Sequence, residues 1–178
     1  MKKSILTMAL ATIMISACNQ TDKKSESNTS ANTGKSVAIK SPIMANYLAI
    51  GDALANDDGA KAADAGKALK ESFGSLDESK LNAEQKSAYD KIKSDAIENA
   101  EHIGENADKI EHQREHFKML SEDIYIVTKV IDPSQKFYKI TCPMYKNGSY
   151  WLSSTKEVKN PFLGEKMDTC GTIDETIN

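Results

Sequence analysis

Sulfur and imidazole gather in the second half of this 178-residue chain. Cys142-Pro143-Met144 lies toward the end, and Met167 stands three residues before Cys170. In an extended Cys142-Pro143-Met144 both sulfur side chains point to one side, because side chains alternate along a strand. Met167 and Cys170 meet on one helical face or within a turn. Upstream, His112, His116 and Met119 fall at i, i+4 and i+7, again one helical face, and His102 precedes them. Thiolate and thioether are soft donors that select Cu(I), and imidazole suits copper and zinc alike. The mixture points first to Cu(I) or Ag(I), since zinc more often uses cysteine and histidine without methionine. The spacing matches no paired CxxC template.

Each of these residues also has a plainer role. A Cys142 to Cys170 disulfide would close a loop of about 29 residues and stabilise by roughly 3 to 4 kcal/mol. Met144 and Met167 would then fill the junction between a C-terminal lobe and the rest. Helical histidines are commonly solvated or hydrogen-bonded, and Trp151, the single tryptophan, is a packing anchor. Metal site, disulfide and packing all stay open on spacing alone.

His112-Gln113-Arg114-Glu115-His116 also fits H-x-x-E-H, in which two histidines hold zinc and the glutamate is a base. A zinc hydrolase on His112, Glu115 and His116 needs a third ligand, an oxyanion stabiliser and a substrate cleft. This stretch is dense in charge, as a chance match would be, and no enzyme activity is expected. The sequence has no Gly-rich phosphate loop, nucleophile elbow or dinucleotide fingerprint.

The elements that must position these groups are mainly helical. Ser41-Pro42 opens a first helix as N-cap and first helical residue, with Ile43, Tyr47, Ile50 and Leu54 at helical spacing up to Asn56-Asp57-Asp58-Gly59. An alanine-rich second helix runs from about Ala60 to Phe73. Asn82 with Gln85 forms a capping box for a third, carrying Tyr89, Ile92, Ala96, Ala100 and Ile103 and ending at Gly104-Glu105-Asn106. The fourth starts near Asp108, carries Ile110, Phe117, Leu120, Ile124, Val127 and Ile131, and stops at Pro133. Short connections predict an antiparallel four-helix bundle, which brings the end of the third helix, with His102, close to His112. From about residue 134 the period changes to two: Phe137 to Cys142, a Lys146-Asn147-Gly148 turn and Ser149 to Ser153 predict a small β-hairpin and loop lobe.

The start of the chain sets the expected compartment. Met1-Lys2-Lys3, an apolar run from Ile5 to Ile15 and Ile15-Ser16-Ala17-Cys18 follow the order of a bacterial lipoprotein signal. This predicts a signal peptide over 1–17, lipidation of Cys18, and membrane attachment with the domain facing the periplasm or exterior. Residues 18–41, rich in Ser, Thr, Asn and Lys, read as a disordered tether, and 42–178 as a single helical domain with its C-terminal lobe. In an oxidising envelope a cysteine pair is a disulfide or a metal site. The formal charge of −3 argues against nucleic acid as a partner.

From Tyr47 onward the chain resembles the DUF3347 domain family, found in bacterial lipoproteins and as a C-terminal extension of CusB-type heavy-metal efflux adaptors. Tyr47-Leu48, Asp52-Ala53-Leu54, Glu101-His102-Ile103 and Gln113 to Phe117 with Leu120-Ser121 carry the resemblance. In the tail it rests on Cys142-Pro143-Met144, Trp151-Leu152-Ser153, Asn160-Pro161-Phe162, Gly164, Met167 and Cys170-Gly171. The resemblance implies a helical bundle with a small C-terminal lobe and a role in copper or silver handling, with heavy-metal efflux components as partners. Its matching positions nominate His102, His116, Cys142, Met144, Met167 and Cys170 as metal ligands. His112 stands where the family commonly has lysine, and Phe162 where it often has tyrosine. The adaptor's own hairpin and barrel segments are missing, which implies a free-standing lipoprotein. The expectation is therefore a lipid-anchored protein that buffers or transfers Cu(I) or Ag(I). The alternative is a structural or protein-interaction module with a Cys142–Cys170 disulfide and no metal.

Overall fold

The computed structural model describes residues 42–131 and 135–177. The expected signal peptide, lipidation at Cys18, tether, Ser41 cap and Pro133 stop lie outside the described residues. Four helices follow one another: α1 (Pro42–Ala55), α2 (Gly59–Gly74), α3 (Ala83–Glu105) and α4 (Ile110–Ile131). Their ends have local causes. The Asp58 side chain caps α2 by accepting from the Lys61 N–H, and Asn82 and Gln85 form the reciprocal capping box of α3. Asn106 caps the end of α3, and α4 begins at Ile110, two residues later than expected from Asp108.

The apolar stripes face inward as their spacing predicts. Tyr47, Ile50, Leu54, Leu69, Phe73, Ile103, Phe117, Leu120 and Ile124 are fully buried. At Gly66 a β-carbon would stand 2.9 Å from the Ala100 carbonyl, so α2 and α3 meet backbone to backbone there. No helix among the described residues is long and apolar enough to cross a membrane.

The C-terminal lobe is a three-stranded antiparallel sheet and not only a hairpin. β1 (Phe137–Cys142) lies between β2 (Ser149–Ser153) and β3 (Thr172–Ile177), with Ile140 opposite both Trp151 and Ile173. The turn before β2 has positive φ at Lys146 (46°), Asn147 (62°) and Gly148 (101°), the backbone that an Asn-Gly pair accepts readily. β3 escapes a reading by hydrophobicity because Thr172-Ile173-Asp174-Glu175-Thr176-Ile177 is an edge strand that buries only Ile177 fully.

Two polar devices dock the lobe on the bundle. The Leu152 N–H donates to the Tyr47 hydroxyl (3.0 Å), Tyr47 donates to Ser121 Oγ (2.8 Å), and Ser121 donates to the Phe117 carbonyl (2.8 Å). The second is Arg114, whose side chain is only 3 % exposed. It donates to the carbonyls of Leu54 (3.1 Å) and Pro161 (3.0 Å), to Glu111 and to Asp57. A charge so buried persists only when it is paired and hydrogen-bonded, and here its partners are α1, the α1–α2 turn, α4 and the lobe.

Candidate metal centre

His102 occupies the last turn of α3, and His112 and His116 occupy the first two turns of α4. The connection between the helices is tight. The Asn106 amide donates back to the His102 carbonyl (2.8 Å), and the Lys109 N–H donates to the Asn106 carbonyl (3.0 Å). Gln113, fully buried, donates from its amide nitrogen to the carbonyls of Gly59 (2.9 Å) and Ile103 (3.0 Å). That clamp fixes the first turn of α4 against the end of α3. The helix period then brings His112 and His116 to the side where His102 emerges.

The three imidazoles offer one ring nitrogen each, all within 4.8 Å of one another. His102 and His116 are stacked, with 4.2 Å between centroids and 3° between planes. His112 meets His116 edge-on at 4.5 Å and 76°. His116 Nδ1 lies 3.0 Å from Asn99 Oδ1. An amide oxygen only accepts, so Nδ1 carries the proton and Nε2 keeps its lone pair. Burial, followed by the neighbouring His102 and His112, pushes the His116 pKa down to about 4. At neutral pH it is the uncharged ring that a metal ligand must be. Three imidazoles are a donor set for copper or zinc, and three protein ligands leave a coordination position open.

Acidic groups flank the histidines. A cleft beside His116 is lined by Asp95, Glu98, Asn99, Met119, Glu122 and Asp123. Burial, then the nearby Asp95, raises the Asp123 carboxyl to about 6. Glu115, the would-be base of the H-x-x-E-H pattern, pairs with Lys146 at 2.7 Å. That ammonium holds its carboxyl below the usual range, the opposite of what a general base near neutrality requires.

The nominated sulfur residues gather elsewhere, in the lobe. Cys142 Sγ and Cys170 Sγ are 2.9 Å apart, both as free cysteines, with Cys142 buried and Cys170 partly so. The Cys170 thiol is raised, first by its contact with Cys142 and then by burial. Met144 is 66 % and Met167 42 % exposed, so neither fills the junction between lobe and bundle. Neither cysteine joins the imidazole group. Of the six nominated ligands, then, His102 and His116 come together in one cluster and Cys142 and Cys170 in another. His112, left out of that set, belongs with the histidines, and its signal is the i, i+4 spacing from His116. Asn99 was also missed. A polar residue between the buried Ala96 and Ala100 of the α3 stripe was the available clue.

The family comparison follows the same division. No curated protein and no solved structure matches the chain. One family model does, over residues 43–136, which takes in all four helices and the three histidines and stops before β1. With more than half of its length matched, the chain belongs to the family described as protein of unknown function DUF3347.

Proposed function

We propose that this protein binds a transition-metal ion, copper first, and buffers or hands it over without catalysing a reaction. The observation that supports this reading is the convergence of His102, His112 and His116 within 4.8 Å on two clamped helices. Three neutral imidazoles on one side of two helices are a donor set that a single ion can share. The lipoprotein-like order of residues up to Cys18 supports a lipid anchor in the bacterial envelope. There the ion would be Cu(I), Cu(II) or Ag(I) in transit beside heavy-metal efflux components. The test is titration of the purified full chain with Cu(II), Zn(II) and, anaerobically, Cu(I), each repeated with His116→Ala. Saturable one-to-one binding that collapses in the variant is expected. Weak, equal binding by both proteins would sink the reading.

A second reading concerns the sulfur. The 2.9 Å approach of Cys142 and Cys170 favours a disulfide that staples β1 to the segment before β3. This reading takes both cysteines out of the ligand set and leaves the histidines as the centre. Counting free thiols on unreduced protein tests it, with none expected from this pair.

A further inference from the structure

His116 is backed by two polar groups that the packing of the helices does not require. Asn99 is 7 % exposed, between Ala96 and Ala100 on the inner stripe of α3, where an apolar side chain would pack without a desolvation cost. Its Oδ1 accepts from His116 Nδ1–H at 3.0 Å, and its Nδ2 lies 3.4 Å from Asp123 Oδ2. Both hydrogen bonds run one way, imidazole to amide to carboxylate. A carboxylate at the end of such a chain polarises the amide, and the amide polarises the ring. Outer partners of this kind fix the tautomer of a ligating histidine and raise the basicity of the nitrogen that faces the ion. Asp95, Glu98 and Glu122 line the same cleft and add negative potential there.

We propose that Asn99 and Asp123 form an outer relay that holds His116 as an Nε2 donor and tunes the tris-imidazole site toward a divalent ion, Zn(II) or Cu(II). This rests on the reading of the three histidines as a metal site and adds its positioning residues and the charge class of its ion. The carboxylate is the source of the preference, because its attraction grows with the charge of the ion. Asn99 and Asp123 touch no ion themselves.

The test uses the full chain labelled with 15N in histidine, Zn(II) alone as the divalent probe, and Cu(I) under anaerobic conditions. Long-range 1H–15N spectra of the ion-free protein read the His116 tautomer directly, which a merely structural role for Asn99 would not move. Wild type is expected to show Nδ1–H. Asn99→Leu is expected to lose that preference and to bind Zn(II) about 10- to 100-fold more weakly. Asn99→Asp keeps an acceptor for Nδ1–H but has no N–H for Asp123, and is expected to keep the tautomer, so the acceptor half of the relay remains testable if the leucine variant does not fold. Asp123→Asn is expected to weaken Zn(II) about tenfold and Cu(I) less. An unchanged tautomer and Zn(II) affinity in Asn99→Leu would overturn the relay, and an equal loss for both ions in Asp123→Asn would overturn the divalent preference. If wild type binds none of these ions, the metal reading itself falls. If it binds them and His116→Ala does not, while Asn99→Leu behaves as wild type, only the relay falls.

Discussion

The imidazole of His102 lies flat against that of His116, 4.2 Å away and only 3° from parallel. Two imidazolium ions in that position would repel, and His116 is held neutral by burial and by its two histidine neighbours. His102→Phe keeps a flat ring on His116 and removes the donor nitrogens. Zn(II) affinity should fall about 100-fold or more, since even an outer partner of a ligand is worth 10- to 100-fold. The partly exposed position predicts a stability change within about 0.5 kcal/mol. Calorimetric titration and urea unfolding of the same preparation check both halves, and retained affinity would show that His102 is only a stacking partner.

Tyr47→Phe removes one oxygen that serves three elements. Without it the buried Leu152 N–H of β2 has no acceptor and Ser121 loses its donor, while the stack of Tyr47 on Phe117, 5.1 Å between centroids, survives. The expected cost is about 1–3 kcal/mol from an unmade buried hydrogen bond. Amide exchange should rise first at Leu152. Loss of stability without faster exchange there would place the effect elsewhere.

The helices were legible because their signals are local. The Asn82–Gln85 box and the stripe from Tyr89 to Ile103 lie within one helix and need no partner to be read. The approach of His102 to His112 was also legible, because a short connection between antiparallel helices dictates it. Arg114 was not. In a helix dense in charge it reads as solvent-facing, and its burial depends on the Pro161 carbonyl and Asp57, both far away in sequence. The same applies to Asn99, whose partners His116 and Asp123 are set by the register of α3 against α4. The sulfur residues are a related case. Their local spacing is right for a shared site, but the fold places the cysteines apart from the imidazoles.

Gly164 sits at φ +56° directly over the Arg114–Asp57 pair. A β-carbon there would collide with the Asp57 carboxylate and the Arg114 guanidinium, and its backbone conformation disfavours any L side chain. Gly164→Ala should therefore loosen the 160–168 loop and destabilise by about 2 kcal/mol or more, the sum of αL strain and a disturbed buried charge. Gly74→Ala is the control, since nothing lies within 4 Å of a β-carbon at the end of α2. It should change stability by less than about 1 kcal/mol. Equal unfolding midpoints for the two variants would mean that the loop absorbs the methyl group and that Arg114 is not held from above.

Asp123 gives the relay a cost that pH can read. Burial and the nearby Asp95 raise its folded-state pKa from 3.8 to about 6, with Asn99 opposing only in part. A carboxyl raised on folding binds its proton more tightly in the folded chain, so stability from this group is fully present below the unfolded value and is lost as pH rises through about 6. Above that pH the folded protein keeps a carboxylate where a neutral group would be cheaper. Asp123→Asn should accordingly unfold at higher urea than wild type near about pH 7.5, and the gain should shrink to nothing near about pH 4, where Asp123 is protonated when folded. The substitution expected to weaken Zn(II) thus stabilises the ion-free fold, a trade found where a charge is kept for function. A stability difference that is the same at both pH values would mean that Asp123 does not titrate where its surroundings place it, and would remove the anionic end of the relay.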